Sequence, residues 1–205
     1  MAKVKLTKGE LKRQRDALRQ YERYLPTLQL KKQQLQLEIL HQQAALDKER
    51  LDEEEKMNNA MSWAGLLSDA RFDLGKYVKS GRLTKDTRNI AGADIPLFVK
   101  VDFPVAEYDL FLTPLWIDVA IDALREIEIA RNKIEILEEG TRILKHELRI
   151  TTQRVNLFEK IKIPEAKEAI RLIKIYIGDQ MANAVGRSKI AKRKIKEMIL
   201  EEVVA

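Results

Sequence analysis

Five places in this chain come near a pattern that does chemistry. Gly75-Lys76 in LGKY is the glycine–lysine step of a phosphate-binding loop. Such a loop needs a further glycine where Ala70 stands and a serine or threonine where Tyr77 stands, so no nucleotide cradle forms. His146-Glu147 opens a zinc-protease helix pattern, but the second histidine position holds Ile150. The only other histidine is His41, far away in sequence, so a histidine-based metal site is not expected. Ser62 in MSWAG lacks the glycine two residues earlier that a nucleophile elbow requires. The carboxylates Glu138 and Glu139 sit in a charged helical stretch and read as a solvated face. No catalytic, cofactor-binding or metal-ligating residue is expected.

The fifth place is GRSKIAKRKIK, residues 186–196. It carries Arg187, Lys189, Lys192, Arg193, Lys194 and Lys196 and no acid. The opposite end matches it: Lys3, Lys5, Lys8, Lys12, Arg13 and Arg15 stand against a single acid, Glu10, over residues 3–15. The whole chain has a net charge of +6, so the segment between the two basic ends is net acidic.

The elements that must carry these ends are long helices. The 205 residues include 34% charged residues, 45% apolar residues, eight glycines and five prolines. Leu, Ile, Ala, Glu, Lys, Arg and Gln dominate, the mix of surface-rich helices and coiled coils, and the apolar share excludes disorder. Cysteine is absent, which excludes disulfides and thiolate chemistry. The N-terminus MAKVKLTKGELKRQ has no apolar core of a signal peptide. No segment approaches the roughly 18 uninterrupted apolar residues of a spanning helix. A soluble protein that does not insert into a membrane is expected, though it can dock onto a membrane complex.

Residues 7–77 read as one helix, started by the capping-box spacing of Thr7 and Glu10. Leu11, Leu18, Leu25, Ile39 and Leu46 recur every seven residues with Lys32 as the polar exception, and Leu28 and Leu35 fall on the companion positions of the seam. Between Leu28 and Leu40 apolar residues spread beyond one seam, so this stretch should be packed on more than one side.

Residues 79–114 differ: they hold three of the five prolines, and LFVKVDF (97–103) alternates like a half-buried strand. A hairpin is expected, with residues 105–112 as the partner strand. From Trp116 the helical pattern returns. Ile129, Ile136, Ile143, Ile150 and Leu157 recur every seven residues. After Pro164 the seam restarts with Ala166, Ile170, Ile173, Ile177, Met181, Ala184, Ser188, Ala191, Ile195 and Met198. Pro26 and Pro164 should bend the helices without breaking them.

The expected fold is all-α: a long antiparallel two-helix coiled coil with a small β-hairpin in the middle. Its parts are a helix over 1–78, a hairpin knob over 79–114, and a second helix over 115–205 kinked near Pro164. At ~1.5 Å per residue the first helix would reach roughly 100 Å. In such an arrangement the two basic ends meet at one tip. On the residues alone that tip is open to three readings: a grip on nucleic-acid phosphates, a contact with a membrane surface, or a solvated coiled-coil end. Residues 178–205 contain no aromatic residue, which weakens the nucleic-acid reading. The face opposite the charges holds Ala184, Ala191 and Ile195, which suits close helix packing better than membrane anchoring.

Three segments carry a family resemblance: LTKGELKRQRDALRQYERYLPTLQLKKQQLQLE (6–38), IAGADIPLFVKVDF (90–103) and RVNLFEKIKIPEAKEAIRLIKIYIGDQMANAVGRSKIAKRK (154–194). Together they resemble the D subunits of V/A-type rotary ATPases and ATP synthases, in their bacterial form. The resemblance implies a central-stalk axle that transmits torque between a catalytic hexamer of A and B subunits and a membrane ion-translocating ring. Implied partners are the A, B and F subunits and the membrane-proximal socket subunit, with no directly bound nucleotide. The implied location is cytoplasmic, peripheral to the membrane. The sequence departs from many relatives near Ala182–Val185, where bulkier aromatic residues often stand. On this reading the stator-facing rotor tip comprises Lys3, Lys5, Lys8, Lys12, Arg13, Arg187, Lys189, Lys192, Arg193 and Lys194. The alternative is a free-standing basic coiled-coil adaptor that binds nucleic acid.

Overall fold

The computed structural model describes residues 5–63, 65, 82–106, 114 and 116–204, with the side chains of 200–204 outside the description. Helix α1 spans Lys8–Met61, strands β1 and β2 span Arg82–Ile90 and Ala93–Asp102, and helix α2 spans Ile117–Leu157. A π-helical turn, Phe158–Lys162, joins α2 without interruption to helix α3, Ile163–Val204. The chain forms two compact units: residues 30–152, and residues 1–29 with 153–205. The expected all-α fold, two long helices with a hairpin between them, is observed.

Within residues 30–152, α1 and α2 run antiparallel. Arg50 pairs with Glu138, Glu53 with Arg131, and Lys56 with Glu126, so rising numbers on one helix meet falling numbers on the other. The α2 seam keeps a steady alternation of three- and four-residue steps through Ala130, Ile134, Leu137, Thr141, Leu144, Leu148, Thr151 and Val155, each buried or half-buried. That rhythm is a coiled-coil seam. Of the expected stripe of Ile129, Ile136, Ile143, Ile150 and Leu157, which flanks it, Ile136 is fully buried, Ile129, Ile143 and Ile150 are half-buried and Leu157 is exposed.

The hairpin is real, but its partner strand lies upstream. β2 pairs antiparallel with Arg82–Ile90, and residues 105–106 are not in a strand; 107–113 lie outside the described residues. β1 contains only Leu83 and Ile90 as apolar residues, so it has no period-two signal, and backbone pairing rather than side-chain patterning makes it a strand. The turn is Ala91-Gly92, both in the left-handed region at φ 51° and 80°, as a two-residue hairpin loop demands. Asn89 closes it, accepting from the Gly92 N–H at 3.1 Å and donating to Asp94 Oδ1 at 2.6 Å. Val99 is the extra residue of a bulge between the Thr84–Lys100 and Lys85–Phe98 pairs.

The hairpin packs on the helices through its turn end. Ala93 and Ile95 join Leu35 and Ile39 of α1 and Leu144 of α2 in one buried cluster, with Leu35, Ile95 and Leu144 fully shielded. Gly140 permits this approach, because a Cβ there would meet Gln42 Oε1 at 3.4 Å and Ile95 Cβ at 3.8 Å. Farther along, Arg125 donates to the Pro104 carbonyl at 2.7 Å and lies over the Phe103 ring. A second cluster gathers Ile117, Ala120 and Ile121 with Trp63 and Trp116.

α1 starts as its sequence dictates: Thr7 Oγ1 accepts the Glu10 N–H at 3.2 Å. It continues through Pro26 and ends at Met61, where Ser62 and Trp63 turn. Residues 66–81, over which the expected helix would have continued to 77, lie outside the described residues.

Candidate functional site

In the unit made of residues 1–29 and 153–205, α1 again runs antiparallel to its partner. Tyr21 packs on Phe158 with ring centroids 5.3 Å apart, and Glu22 pairs with Lys167 at 3.5 Å. Of the seam residues expected on α1, Leu11, Leu18, Leu25 and Leu28 are half-buried, whereas Leu35, Ile39 and Leu46 in the other unit are buried. On α3, Ile170 and Ile173 are buried and Ile177 is half-buried.

Beyond Ile177 the packing stops. Every residue from Gly178 to Ile199 is exposed. The expected seam residues Met181, Ala184, Ala191 and Ile195 therefore have no partner helix in this chain among the described residues. The reason is length: α1 begins at Lys8, and the antiparallel pairing through Glu22 and Lys167 uses it up near the Ile177–Met181 turn. The last stretch of α3 is a single helix of roughly 40 Å at about 1.5 Å per residue.

The basic residues are consequently not side by side. Lys5, Lys8, Lys12 and Arg13 stand exposed at the start of α1, where the pairing ends; Lys3 lies outside the described residues. Arg187, Lys189, Lys192, Arg193 and Lys194 occupy the single helix beyond it. Arg193 makes a local pair with Glu197 at 3.7 Å. Lys189, Lys192 and Lys194 have no ion-pair partner among the described side chains. Between the charges, Val185, Ile190, Ile195 and Met198 each expose more than half their surface. This stretch of helix therefore presents both cationic and apolar side chains on its exposed surface.

A second unpartnered surface lies on α1 within residues 30–152. Leu30, Leu37 and Leu40 are 55%, 59% and 61% exposed. Leu37 and Leu40 form a groove with Gln33, Gln36, Ile39 and Leu148. Residues 33–45, QQLQLEILHQQAA, contain one carboxylate, Glu38, lying beside His41. A charge-poor apolar face in so charged a chain points to a partner. The sequence signal for it is the spread of apolar residues over 28–40.

Among the described residues no group of three metal-binding side chains occurs, and no helix is long and apolar enough to cross a membrane. Among the described side chains the clear acid–base perturbation is on the surface of α3, where bidentate hydrogen bonds from Arg171 hold the Glu168 carboxyl below its usual range.

Long paired helices in each unit, with a β-hairpin in one and an overhanging basic helix in the other, place the chain among mostly helical coiled-coil proteins. The family model for ATP synthase D subunits matches residues 10–193. The chain belongs to that family. Three relatives are V-type ATP synthase D subunits. That of Borreliella burgdorferi is 42% identical over 192 residues, covering 94% of this chain and 95% of that protein. That of Chlamydia pneumoniae is 34% identical over 197 residues, covering 94% and 93%. That of Chlamydia muridarum is 33% identical over 198 residues, covering 96% and 98%. The nucleic-acid adaptor reading finds no support among these relatives.

Proposed function

We propose that this chain is the central-stalk rotor of a V-type ATP synthase, a non-catalytic axle that carries torque between ATP-handling subunits and a membrane ion-translocating ring. The observation that supports it most is the single helix beyond Ile177, exposed on every side and rich in Lys and Arg. An axle must turn past several stator faces without being trapped at one angle. Flexible, hydrated cations suit this, since exposed ion pairs contribute only ~0–1 kcal/mol each and depend weakly on orientation.

In this reading Lys5, Lys8, Lys12, Arg13, Arg187, Lys189, Lys192, Arg193 and Lys194, with Lys3, face acidic surfaces of a hexamer of A and B subunits. The small residues Ala184, Ser188 and Ala191 admit close approach of that hexamer's helices. The stalk component F takes the apolar groove of Leu37, Leu40 and Leu148, together with the hairpin. The end of the α1–α2 pair near Ile117 and Ile121 seats in the socket subunit above the membrane ring. The assembly is cytoplasmic and peripheral to the membrane, and the A and B subunits do the ATP chemistry.

The test is affinity capture of the tagged full-length chain from its native cytoplasm and membranes, with partners identified by mass. Recovery of A, B and F subunits is expected. Recovery of nucleic acid without ATPase subunits would overturn the reading and return the basic helix to a phosphate grip. Deleting residues 84–112 is expected to lower F recovery while leaving the helices folded.

A further inference from the structure

The α2 seam fixes a phase that α3 does not keep. Continuing its three–four alternation from Thr151 and Val155 gives positions 158, 162, 165, 169 and 172. Phe158 and Lys162 fit, being half-buried. Beyond them the buried residues are Ala166 at 4%, Ile170 at 9% and Ile173 at 0%, while Glu165 is exposed and Leu172 is 44% exposed. Each buried position falls one residue late, apart from Ala169, which is buried in either phase. The chain holds one residue more than the seam uses.

That residue is absorbed where the geometry changes. Phe158–Lys162 is a π turn, and the Ile163 N–H donates to the Phe158 carbonyl five residues back. A π turn houses one residue in excess of an α turn. Pro164 follows immediately, with no N–H to give and a ring that would crowd the Lys160 carbonyl in a regular α-helix. Widening the turn relieves that crowding. Across from this segment α1 carries Pro26, which deprives the Glu22 carbonyl of its helical donor. The Glu22 carbonyl left without a donor belongs to the same stretch of α1, Tyr21–Glu22, that contacts Phe158 and Lys167 on either side of Pro164.

We propose that Phe158–Lys162 is a torsional joint: a skip residue stored in a π turn that lets α3 twist about its own axis against the last turn of α2, Val155–Leu157. If the turn tightened to α, the helix beyond would rotate by about 100° and would offer Ala169, Leu172 and Tyr176 in place of Ala166, Ile170 and Ile173. Leu172 and Tyr176 are already apolar and exposed at 44% and 41%, so a second seam stands beside the first. Glu165, which would enter the seam, biases the joint toward the observed register. The proposal deepens the rotor reading by naming where the axle yields to torque, yet it is tested on the isolated full-length chain.

The experiment compares three full-length chains: the parent, a variant lacking Ile161 with Pro164→Ala, and a control lacking Lys145 in the uninterrupted α2 seam. Removing Ile161 brings Ile163, Ala166, Ile170 and Ile173 into the phase set by Thr151 and Val155. In the parent, backbone amides of 159–166 are expected to exchange with solvent about tenfold faster than those of 148–155 and 168–175. In the Ile161 variant that difference should vanish, with a thermal midpoint equal to or above the parent's, whereas the Lys145 control should lose stability. Parent amides at 159–166 as protected as their flanks would overturn the proposal. So would an Ile161 variant as destabilised as the Lys145 control. Capture of A, B and F subunits plays no part in these readouts, so failure of the rotor reading and failure of the joint are told apart.

Discussion

Arg50 Nη2 donates to Glu138 Oε1 at 2.6 Å although 88 residues separate them in sequence. Around this contact Lys133 pairs with Glu49, Arg131 with Glu53 and Lys85 with Glu139, which ties the hairpin to α2 as well. These pairs fix which residues of α1 and α2 face each other, but both Arg50 and Glu138 are more than half exposed, so water and salt screen the attraction. A double-mutant cycle on Arg50→Ala and Glu138→Ala, read by urea unfolding, should give a coupling of about 0.2–1 kcal/mol that shrinks at high salt. Leu144→Ala, which empties a fully buried seam position, should cost about 2–5 kcal/mol.

Gly140 separates helix propensity from close packing. Its missing Cβ would sit 3.4 Å from Gln42 Oε1 and 3.8 Å from Ile95 Cβ. Alanine gains up to about 1 kcal/mol of helix propensity over glycine and needs only a small shift of the Gln42 amide. Gly140→Ala should therefore be neutral or mildly stabilising. Gly140→Leu should push the hairpin off α2 and cost about 1–3 kcal/mol by overpacking. Thermal unfolding distinguishes the two, and exchange at the β2 amides should rise only in the leucine variant.

Gln42 Oε1 and Thr141 Oγ1 are buried with no hydrogen-bond partner. An unpaired buried polar atom costs about 1–3 kcal/mol, so removing it at constant shape should stabilise. Thr141→Val is expected to raise unfolding free energy by about 1 kcal/mol, and Gln42→Leu by a similar amount because it extends the apolar seam of Leu35, Ile39 and Leu46. Urea unfolding midpoints check both. A loss of stability in Thr141→Val would show that the hydroxyl has a partner in solution.

The basic helix should matter in the complex and not in the isolated chain. Arg187, Lys189, Lys192 and Arg193 are all exposed, so replacing all four with Gln should leave the thermal midpoint of the chain nearly unchanged. Four exposed contacts at a few tenths of a kcal/mol each sum to about 1.4 kcal/mol, or roughly tenfold in retention by the assembled complex. ATP-driven ion transport measured after gel filtration at rising salt should fall accordingly. Unchanged transport and retention would count against the stator-facing assignment.

Much of this structure is legible in the sequence, for identifiable reasons. Leu35, Ile39 and Leu46 announce the α1 seam because burial and heptad spacing coincide there. Ile170 and Ile173 do the same for α3. The β1 strand is hidden because RLTKDTRNI has no alternation to read, while the more apolar 105–112 attracts the strand assignment instead. The seam beyond Ile177 is a true pattern but makes no intrachain contact among the described residues; periodicity reports that a face wants a partner, not which chain supplies it. Pro164 flags a disturbance, but the π turn becomes visible only when the phase of Thr151 and Val155 is carried past it to Ile173.

The most direct measurement uses the absence of cysteine. With Ser188→Cys as the sole thiol, a cleavable thiol-to-amine cross-linker would join the overhanging helix to the catalytic hexamer in the assembled complex. If this chain is the rotor, cross-linking should stop multiple-turnover ATP hydrolysis in proportion to the cross-linked fraction, and cleaving the linker should restore it. A fully cross-linked complex that keeps hydrolysing ATP at the uncross-linked rate would contradict the account.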